Sequence, residues 1–277
     1  MADPLDSDLI LARLGPAVRA RMASLDVQPQ VDSTNAELLR RPMPEGGLAA
    51  VLLADSQQAG RGRRGKDWAS PPGGNLYLSL ARGFPGGLAR LEGLSLVAGI
   101  AAAEALHALG YQEVRLKWPN DLVVAGHGGR SGGLRKLGGL LVEGAGAGTG
   151  QVRAVLGIGI NVRMPPLEEV IDQPWIDLAT LSGRAPARSD LAAAVLGHWI
   201  EALDVLDRDG FAGFLPRFRA LDALGGRAVE LHLAGGAVAG HACGLAANGA
   251  LLVRLEDGTE RAFHSGEVSV RQGPVDV

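Results

Sequence analysis

The sequence predicts an α+β protein in which helices pack on a mixed or antiparallel sheet, followed by a small closed β-barrel. Three observations predict it. Helical periodicity is concentrated in two stretches, Leu88 to Leu109 and Asp190 to Leu206. Between them strand-like runs dominate: "EVRLKW", "DLVVAG", "KLGGLLVEG" and "VRAVLGIGINV". After Gly225-Gly226 the composition shifts to short β-like runs separated by turn signals, Asn248-Gly249 and Asp257-Gly258 being the clearest.

Each element has a local reason. An amphipathic helix is expected around Leu9 to Met22, within an N-terminal extension over residues 1–30. "DSTNAELL" reads as a helix start, because Thr34 and Glu37 have capping-box spacing. "LAAVLLAD" has the length of a strand. "NLYLSLAR" alternates Leu76, Leu78 and Leu80 against Asn75, Tyr77 and Ser79, the pattern of a half-buried strand. Gly110 caps the Leu88–Leu109 helix. The glycine-rich insertion Gly126 to Arg135 reads as a mobile surface loop, and "RMPPLEEVIDQPW" as another loop. A short helix is expected from Phe211 to Leu221.

Composition excludes several classes. Apolar residues make up 47% of the 277 and charged residues 21%, which is globular. A formal charge of -3 argues against a surface wholly committed to nucleic acid or anionic lipid, so any anion recognition is local. The single cysteine, Cys243, forbids an internal disulfide and multi-cysteine metal motifs, as in a reducing compartment. No signal peptide or membrane span is evident, so a cytoplasmic protein is expected. The six histidines match no zinc spacing.

The chemistry concentrates in "QQAGRGRRGKDW", which contains G-x-G-x-x-G at Gly60, Gly62 and Gly65. A dinucleotide fingerprint would need a helix after the third glycine and a later acid, but "KDWASPPGGN" supplies neither. A solvated hairpin or an RNA-binding arginine-glycine segment are the other readings. The clustering of Arg61, Arg63, Arg64 and Lys66 before Asp67 favours an anionic partner, a phosphate or carboxylate. Lys117 and Lys136 are further cations at strand edges. In "KWPND" the proline bends the chain after a strand, so that Asn120 and Asp121 project as a turn or as ligands of Mg²⁺, ribose or a proton. Gly138 and Gly139 mark either a β-bulge or a ligand contact. Asn161 ends "GIGIN".

Taken in order, "DSTN", "QQAGRGRRG" followed by Trp68, "NLYLSL", "LKWPND", "KLGGLLVE" and "GIGIN" closely resemble the bacterial biotin protein ligases, strongly from Val31 to Asn161. The resemblance implies a core like that of class II aminoacyl-tRNA synthetases, a ligase domain over 31–222 and an SH3-like β-barrel over 223–277. It implies two steps: biotin and Mg²⁺-ATP give biotinyl-5'-AMP and pyrophosphate, then a lysine of biotin carboxyl carrier protein takes the biotinyl group and AMP leaves.

It also implies roles. Arg61, Arg63, Lys117, Lys136 and Asp121 would be catalytic, with Asp121 assisting deprotonation of the acceptor lysine. Ser33, Thr34, Asn35, Gln57, Gly60, Arg61, Gly62, Arg63, Lys136 and Gly139 would line the biotin site. Arg63, Trp68, Lys117, Asn120, Asn161 and Trp175 would serve ATP and the adenylate, with Mg²⁺ near Asp121 or Asn161. Both loops, carrying Trp68 and Trp175, are expected to be open or disordered until they close over the adenylate. Arg64 and Lys66 are left to keep the loop soluble. No DNA binding and no membrane association are expected, and a homodimer is compatible with the resemblance. A lipoyl or octanoyl ligase and a non-catalytic biotin-binding module are the alternatives.

Overall fold

The computed structural model describes residues 4–85, 91–126, 133–145, 150–166, 171, 173–233, 236–264 and 269–272. Among them, seven strands form one mixed sheet: β1 (Met22–Val31), β2 (Ala49–Gln57), β3 (Asn75–Phe84), β4 (Arg115–Lys117), β5 (Asp121–Ala125), β6 (Leu134–Ala145) and β7 (Val152–Asn161). Their order is β1-β2-β3-β7-β6-β5-β4. Only β1 and β2 run parallel; the other pairs are antiparallel.

One face of the sheet carries Val51, Leu53, Leu76, Leu78, Leu80, Leu156, Ile158 and Ile160 and packs on helices α4 (Leu94–Ala108) and α6 (Arg188–Asp209). α4 is apolar except at Ser95, Glu104 and His107 and is accordingly mostly buried, between the sheet and α6. Trp199 of α6 fixes that packing by donating from Nε1 to the carbonyl of Ala98, at 2.9 Å. The other face carries Ala50, Leu52, Ala81 and Val155 beneath Leu38 of a short helix, α3 (Thr34–Arg40). α3 covers only part of that face, and the candidate site occupies the remainder.

Several expectations change. The helix expected around Leu9 to Met22 is two short helices, α1 (Ser7–Arg13) and α2 (Pro16–Arg19), because Gly15-Pro16 interrupts it. Met22 to Val31 is a full strand paired with β2, so the expected boundary between residues 30 and 31 falls inside the sheet. The cap of α3 is Ser33 rather than Thr34, with Ser33 Oγ accepting from the Ala36 N–H at 3.4 Å. β3, expected to be half-buried, is buried at all ten positions. The helix expected from Leu88 starts at Leu94, after Gly93 at φ 73°, and Gly110 follows its end at φ 98° as expected. Of the Gly126–Arg135 insertion, Leu134 and Arg135 belong to β6 and the Gly126 N–H donates to the Gly133 carbonyl at 2.8 Å; residues 127–132 lie outside the described set.

After two further short helices, α5 (Leu178–Ser182) and α7 (Leu215–Leu221), the C-terminal strands are β8 (Ala228–Leu233), β9 (Gly236–Leu245), β10 (Leu251–Arg254), β11 (Glu260–Phe263) and β12 (Ser269–Gln272). Among the described residues they make an antiparallel sheet in the order β11-β10-β9-β8-β12, with β11 and β12 at its ends, an arrangement compatible with the small barrel expected, although no pairing that closes it is among them. Val229, Leu231, Leu251 and Val253 join the same core as α4 and α6, so the two sheets share one hydrophobic interior.

Candidate active site

Residues paired across neighbouring strands share a face of the sheet. One such row runs Lys117, Asp121, Gly139, Gly159, Tyr77 across β4, β5, β6, β7 and β3. It sets a cation and a carboxylate at one end, a floor without side chains in the middle and a buried tyrosine at the other. The Trp68 indole lies on that floor. A Cβ at Gly159 would stand 2.5 Å from Trp68 Nε1, and one at Gly139 3.1 Å from Trp68 Cζ3. With the indole in this position, close approach demands glycine at 159 and leaves a side chain at 139 tight, and neither is a matter of backbone conformation.

Lys136 reaches this face through a bulge. The β5–β6 register is Asp121 with Gly139 and Leu122 with Gly138, then Val123 with Lys136, which leaves Leu137 as the extra residue. Without that insertion Lys136 would point to the opposite face; with it, Lys136 Nζ lies 2.8 Å from Asp121 Oδ1 and 5.1 Å from the centre of the Trp68 ring. The bulge therefore lies beside Gly138-Gly139, at Leu137, and of the two glycines Gly139 faces the floor.

The arginine loop is a short hairpin. Arg61 bridges Asp67, the Gly62 N–H donates to Lys66 at 2.7 Å, and the Trp68 N–H donates to Gly60 at 2.9 Å. A Cβ on Gly60 would lie 2.5 Å from the Trp68 carbonyl oxygen, so this closure requires glycine. Expected to be open or disordered, the loop is instead folded over the floor. From it Arg61 reaches Glu143 (3.3 Å), and Arg63 Nη1 donates to Asn120 Oδ1 (3.2 Å). Burial pulls the Arg63 guanidinium below its ordinary range against the opposing pull of Asp121, with Arg64 adding repulsion. A cation held at such a cost favours an anionic ligand. Arg64 and Lys66 are exposed.

A polar cluster borders the floor on the α3 side. Gln57 Oε1 accepts from the Thr34 N–H at 2.9 Å, and Gln57 Nε2 donates to Ser70 Oγ at 2.9 Å. Ser79 Oγ lies 2.7 Å from Thr34 Oγ1 and 2.6 Å from Asn35 Oδ1. Asn35 Nδ2 donates to the Leu141 carbonyl and to Glu143 Oε2.

On the far side, Asn120 Nδ2 donates to the Leu140 carbonyl at 2.7 Å, which ties the "WPND" turn, with its cis Trp118-Pro119 bond, to β6. The segment around Trp175 runs alongside Lys136: the Lys136 N–H donates to Pro174, and the Ile176 N–H to Lys136. Trp175 itself is 36% exposed at the rim. Asn161 is buried and gives its amide to the Ile176 carbonyl at 3.1 Å, so its described contacts hold this segment in place.

The structure thus brings Ser33, Thr34, Asn35, Gln57, Gly60, Arg61, Gly62, Arg63, Trp68, Lys117, Asn120, Asp121, Lys136 and Gly139 around one floor, with Asn161 and Trp175 at its margin. Sequence reasoning left out Ser70, Tyr77, Ser79, Glu143, Gly157 and Gly159. The signal for three of them was present: Gly157 and Gly159 share the strand parity of Asn161 in "GIGIN", and Glu143 that of Gly139 in "KLGGLLVE".

Comparison with known proteins agrees with this geometry. Residues 27–161 match the biotin/lipoate A/B protein ligase family and residues 224–271 the biotin protein ligase C-terminal domain. The chain is 41% identical over 249 residues to the bifunctional ligase/repressor BirA of Escherichia coli, covering 90% of this chain and 74% of that one. It is 35% identical to the biotin--[acetyl-CoA-carboxylase] ligase of Mycobacterium tuberculosis, over 76% of each. The solved biotin protein ligase of Aquifex aeolicus, in complex with biotin and ATP, superimposes with a TM-score of 0.74 at 29% identity, over 91% of this chain and all of that one. Matched by both family models, and 41% identical to a relative of which it covers 74%, the chain belongs to the biotin protein ligase family.

Proposed function

We propose that this chain activates biotin with ATP as biotinyl-5'-AMP and transfers the biotinyl group to a lysine of a biotin carboxyl carrier protein. The observation that carries the reading is the convergence of Arg61, Arg63, Lys117 and Lys136 on a glycine floor whose other border is the Thr34–Gln57–Ser70 cluster. Biotin needs both halves: a few hydrogen bonds for its ureido ring and cations for its carboxylate.

In the first step a carboxylate oxygen attacks the α-phosphorus, the bond to the β-phosphate oxygen breaks, and pyrophosphate leaves. Two anions must be held together while charge builds on phosphorus, and preorganised cations typically supply several kcal/mol to such a step. Lys136 and Arg63 are preorganised here by Asp121, Trp68 and Asn120. In the second step the acceptor amine attacks the carbonyl carbon, the C–O bond to phosphate breaks, and AMP leaves while the amine loses a proton. Asp121 is the carboxylate at that end of the floor, and with Lys136 on Oδ1 its second oxygen is the candidate proton acceptor. Trp68 Nε1, buried with no acceptor among the described residues, is a donor that a ligand atom would satisfy.

Among the described residues no group of three or more His, Cys, Asp or Glu side chains is arranged to hold a metal ion. Asp121 is already paired, and the Asn161 amide is engaged with backbone. Asp121 is the one carboxylate of the pair, so Mg²⁺ there would be held by it together with substrate phosphates rather than by a protein cage, and no step is routed through the metal.

The test is biotin-dependent ATP–pyrophosphate exchange, followed by transfer to a purified biotinyl domain. Exchange with biotin and labelling of the domain lysine are expected. Exchange driven by lipoate instead would move the assignment to a lipoyl ligase. Absence of exchange with either acid would leave a binding module.

A further inference from the structure

Glu143 stands on the site face of β6, four residues along from Gly139, where nothing in the adenylation chemistry asks for a carboxylate. A negative charge beside a site for two anions is unfavourable unless it is tied to something useful. Here it is tied twice: Glu143 Oε2 accepts from Asn35 Nδ2 at 2.9 Å and lies 3.3 Å from Arg61 Nη2.

Asn35 is a rigid support. It is 3% exposed, and each of its amide groups has a partner: Ser79 Oγ at Oδ1, the Leu141 carbonyl and Glu143 at Nδ2. It also fills the space over Gly157, where a Cβ would fall 2.1 Å from Asn35 Oδ1. The support cannot shift without rebuilding the sheet surface. Arg61, by contrast, is the half-exposed end of the contact, on a short hairpin closed by the Arg61–Asp67 bridge and two backbone hydrogen bonds and tied to the sheet at Arg63 and Trp68.

We propose that Glu143 is a positioning residue: braced by Asn35, it fixes the direction of the Arg61 guanidinium and with it the arginine hairpin over the floor. This rests on the ligase reading above. The bracing also makes one hydrogen-bonded chain, Thr34–Ser79–Asn35–Glu143–Arg61, that joins the border suited to the ureido ring to the loop suited to the anions.

The test is a double-mutant cycle on the full chain, comparing wild type, Glu143→Gln, Arg61→Ala and the double variant in biotin-dependent exchange, with thermal unfolding alongside. Glu143→Gln keeps the shape and an acceptor for Asn35. It is expected to raise KM for biotin about tenfold with kcat within about threefold, and to add nothing once Arg61 is already alanine. Full additivity in the double variant, an unchanged KM, or a lowered melting temperature alone would overturn the proposal. If the wild-type chain shows no exchange, the ligase reading fails by itself. The positioning claim is then decided by tryptic cleavage within residues 61–66, expected to be faster in Glu143→Gln and overturned by equal rates. If Glu143→Gln does not fold, Arg61→Lys, which keeps the charge and loses the fork, is expected to raise KM similarly, and an unchanged KM overturns the claim.

Discussion

Lys136 Nζ lies 2.8 Å from Asp121 Oδ1, and one extra residue in β6, Leu137, is what brings the two to the same face. The pair is mostly buried, with side chains 18% and 19% exposed, so each charge depends on the other for compensation. Replacing Lys136 by Gln is expected to lower exchange by roughly a hundredfold or more, the scale on which a preorganised charge acts in a transition state. Asp121→Asn separates the steps: transfer from preformed adenylate to the carrier is expected to slow by about tenfold or more while exchange falls less. Unchanged transfer would take proton acceptance away from Asp121.

The glycine floor predicts two different failures from the same substitution. At Gly157 the added methyl meets Asn35 Oδ1 at 2.1 Å, and Asn35 is locked by its partners, so Gly157→Ala is expected to destabilise by about 1–3 kcal/mol, as overpacking does. At Gly159 the methyl meets the Trp68 indole at 2.5 Å, and Trp68 belongs to a hairpin that can lift. Gly159→Ala is therefore expected to leave the melting temperature nearly unchanged, shift tryptophan fluorescence and abolish exchange. A large loss of stability at Gly159, or none at Gly157, would contradict this division.

Asp222 predicts a pH dependence. It lies where the chain leaves the first sheet, bridging Leu116, and burial pushes its carboxyl above the usual range, against hydrogen bonds from the Leu224 and Gly225 N–H groups and the attraction of Arg227. A folded-state pKa raised above the unfolded value means the folded protein holds this proton more tightly. The stability it contributes is complete below the unfolded pKa and is lost as pH rises through the folded one. Asp222→Asn, which keeps an acceptor and imitates the protonated form, is expected to be more stable than wild type at neutral pH, with the difference vanishing in acid. Equal melting curves at both pH values would place the group outside any linkage.

Much of this was legible in the sequence because the ordered blocks are short and each ends at the same edge of the sheet. "DSTN", "GRGRRG", "KWPND" and "GIGIN" all mark ends or turns, where glycine, proline and amide residues have local reasons to appear. What was not legible depended on what covers a strand. In "NLYLSLAR" the polar half of the alternation was assigned to solvent, yet Asn75, Tyr77 and Ser79 are 0%, 1% and 0% exposed, because that face is the site's own wall beneath α3 and the loop. Alternation reports that two faces differ, not that one is wet. Met22–Val31 was missed although Leu25, Val27 and Val31 alternate with Asp26, Gln28 and Gln30: Pro29 interrupts the pattern and reads as a break, and it is tolerated because β1 is an edge strand paired only with β2 among the described residues. The bulge that turns Lys136 inward is a property of two strands in register, and no single stretch encodes it.

Trp118 predicts a dependence of the site on the C-terminal sheet. Its indole is 2% exposed and donates from Nε1 to the Gly249 carbonyl at 3.0 Å, so the Asn248-Gly249 turn between β9 and β10 is fastened to the residue that opens "WPND". The turn has no freedom to follow: Gly249 sits at φ 82°, and a Cβ there would lie 2.9 Å from Leu96 Cδ1 of α4. Trp118→Phe keeps an aromatic side chain but leaves a buried carbonyl unpaired, at a typical cost of about 1–3 kcal/mol. Because Asn120, two residues on, holds both β6 and Arg63, the loss is expected to appear in the chemistry as well as in stability, as a higher KM for ATP in exchange. Gly249→Ala attacks the same contact from the other side, through strain at a positive φ and the clash with Leu96, and is expected to reproduce both effects. Since the two sheets share one core, thermal unfolding of either variant is expected to remain a single transition at lower temperature. A normal KM for ATP in both variants, with only the melting temperature lowered, would show that the turn supports the fold and leaves the site to organise itself.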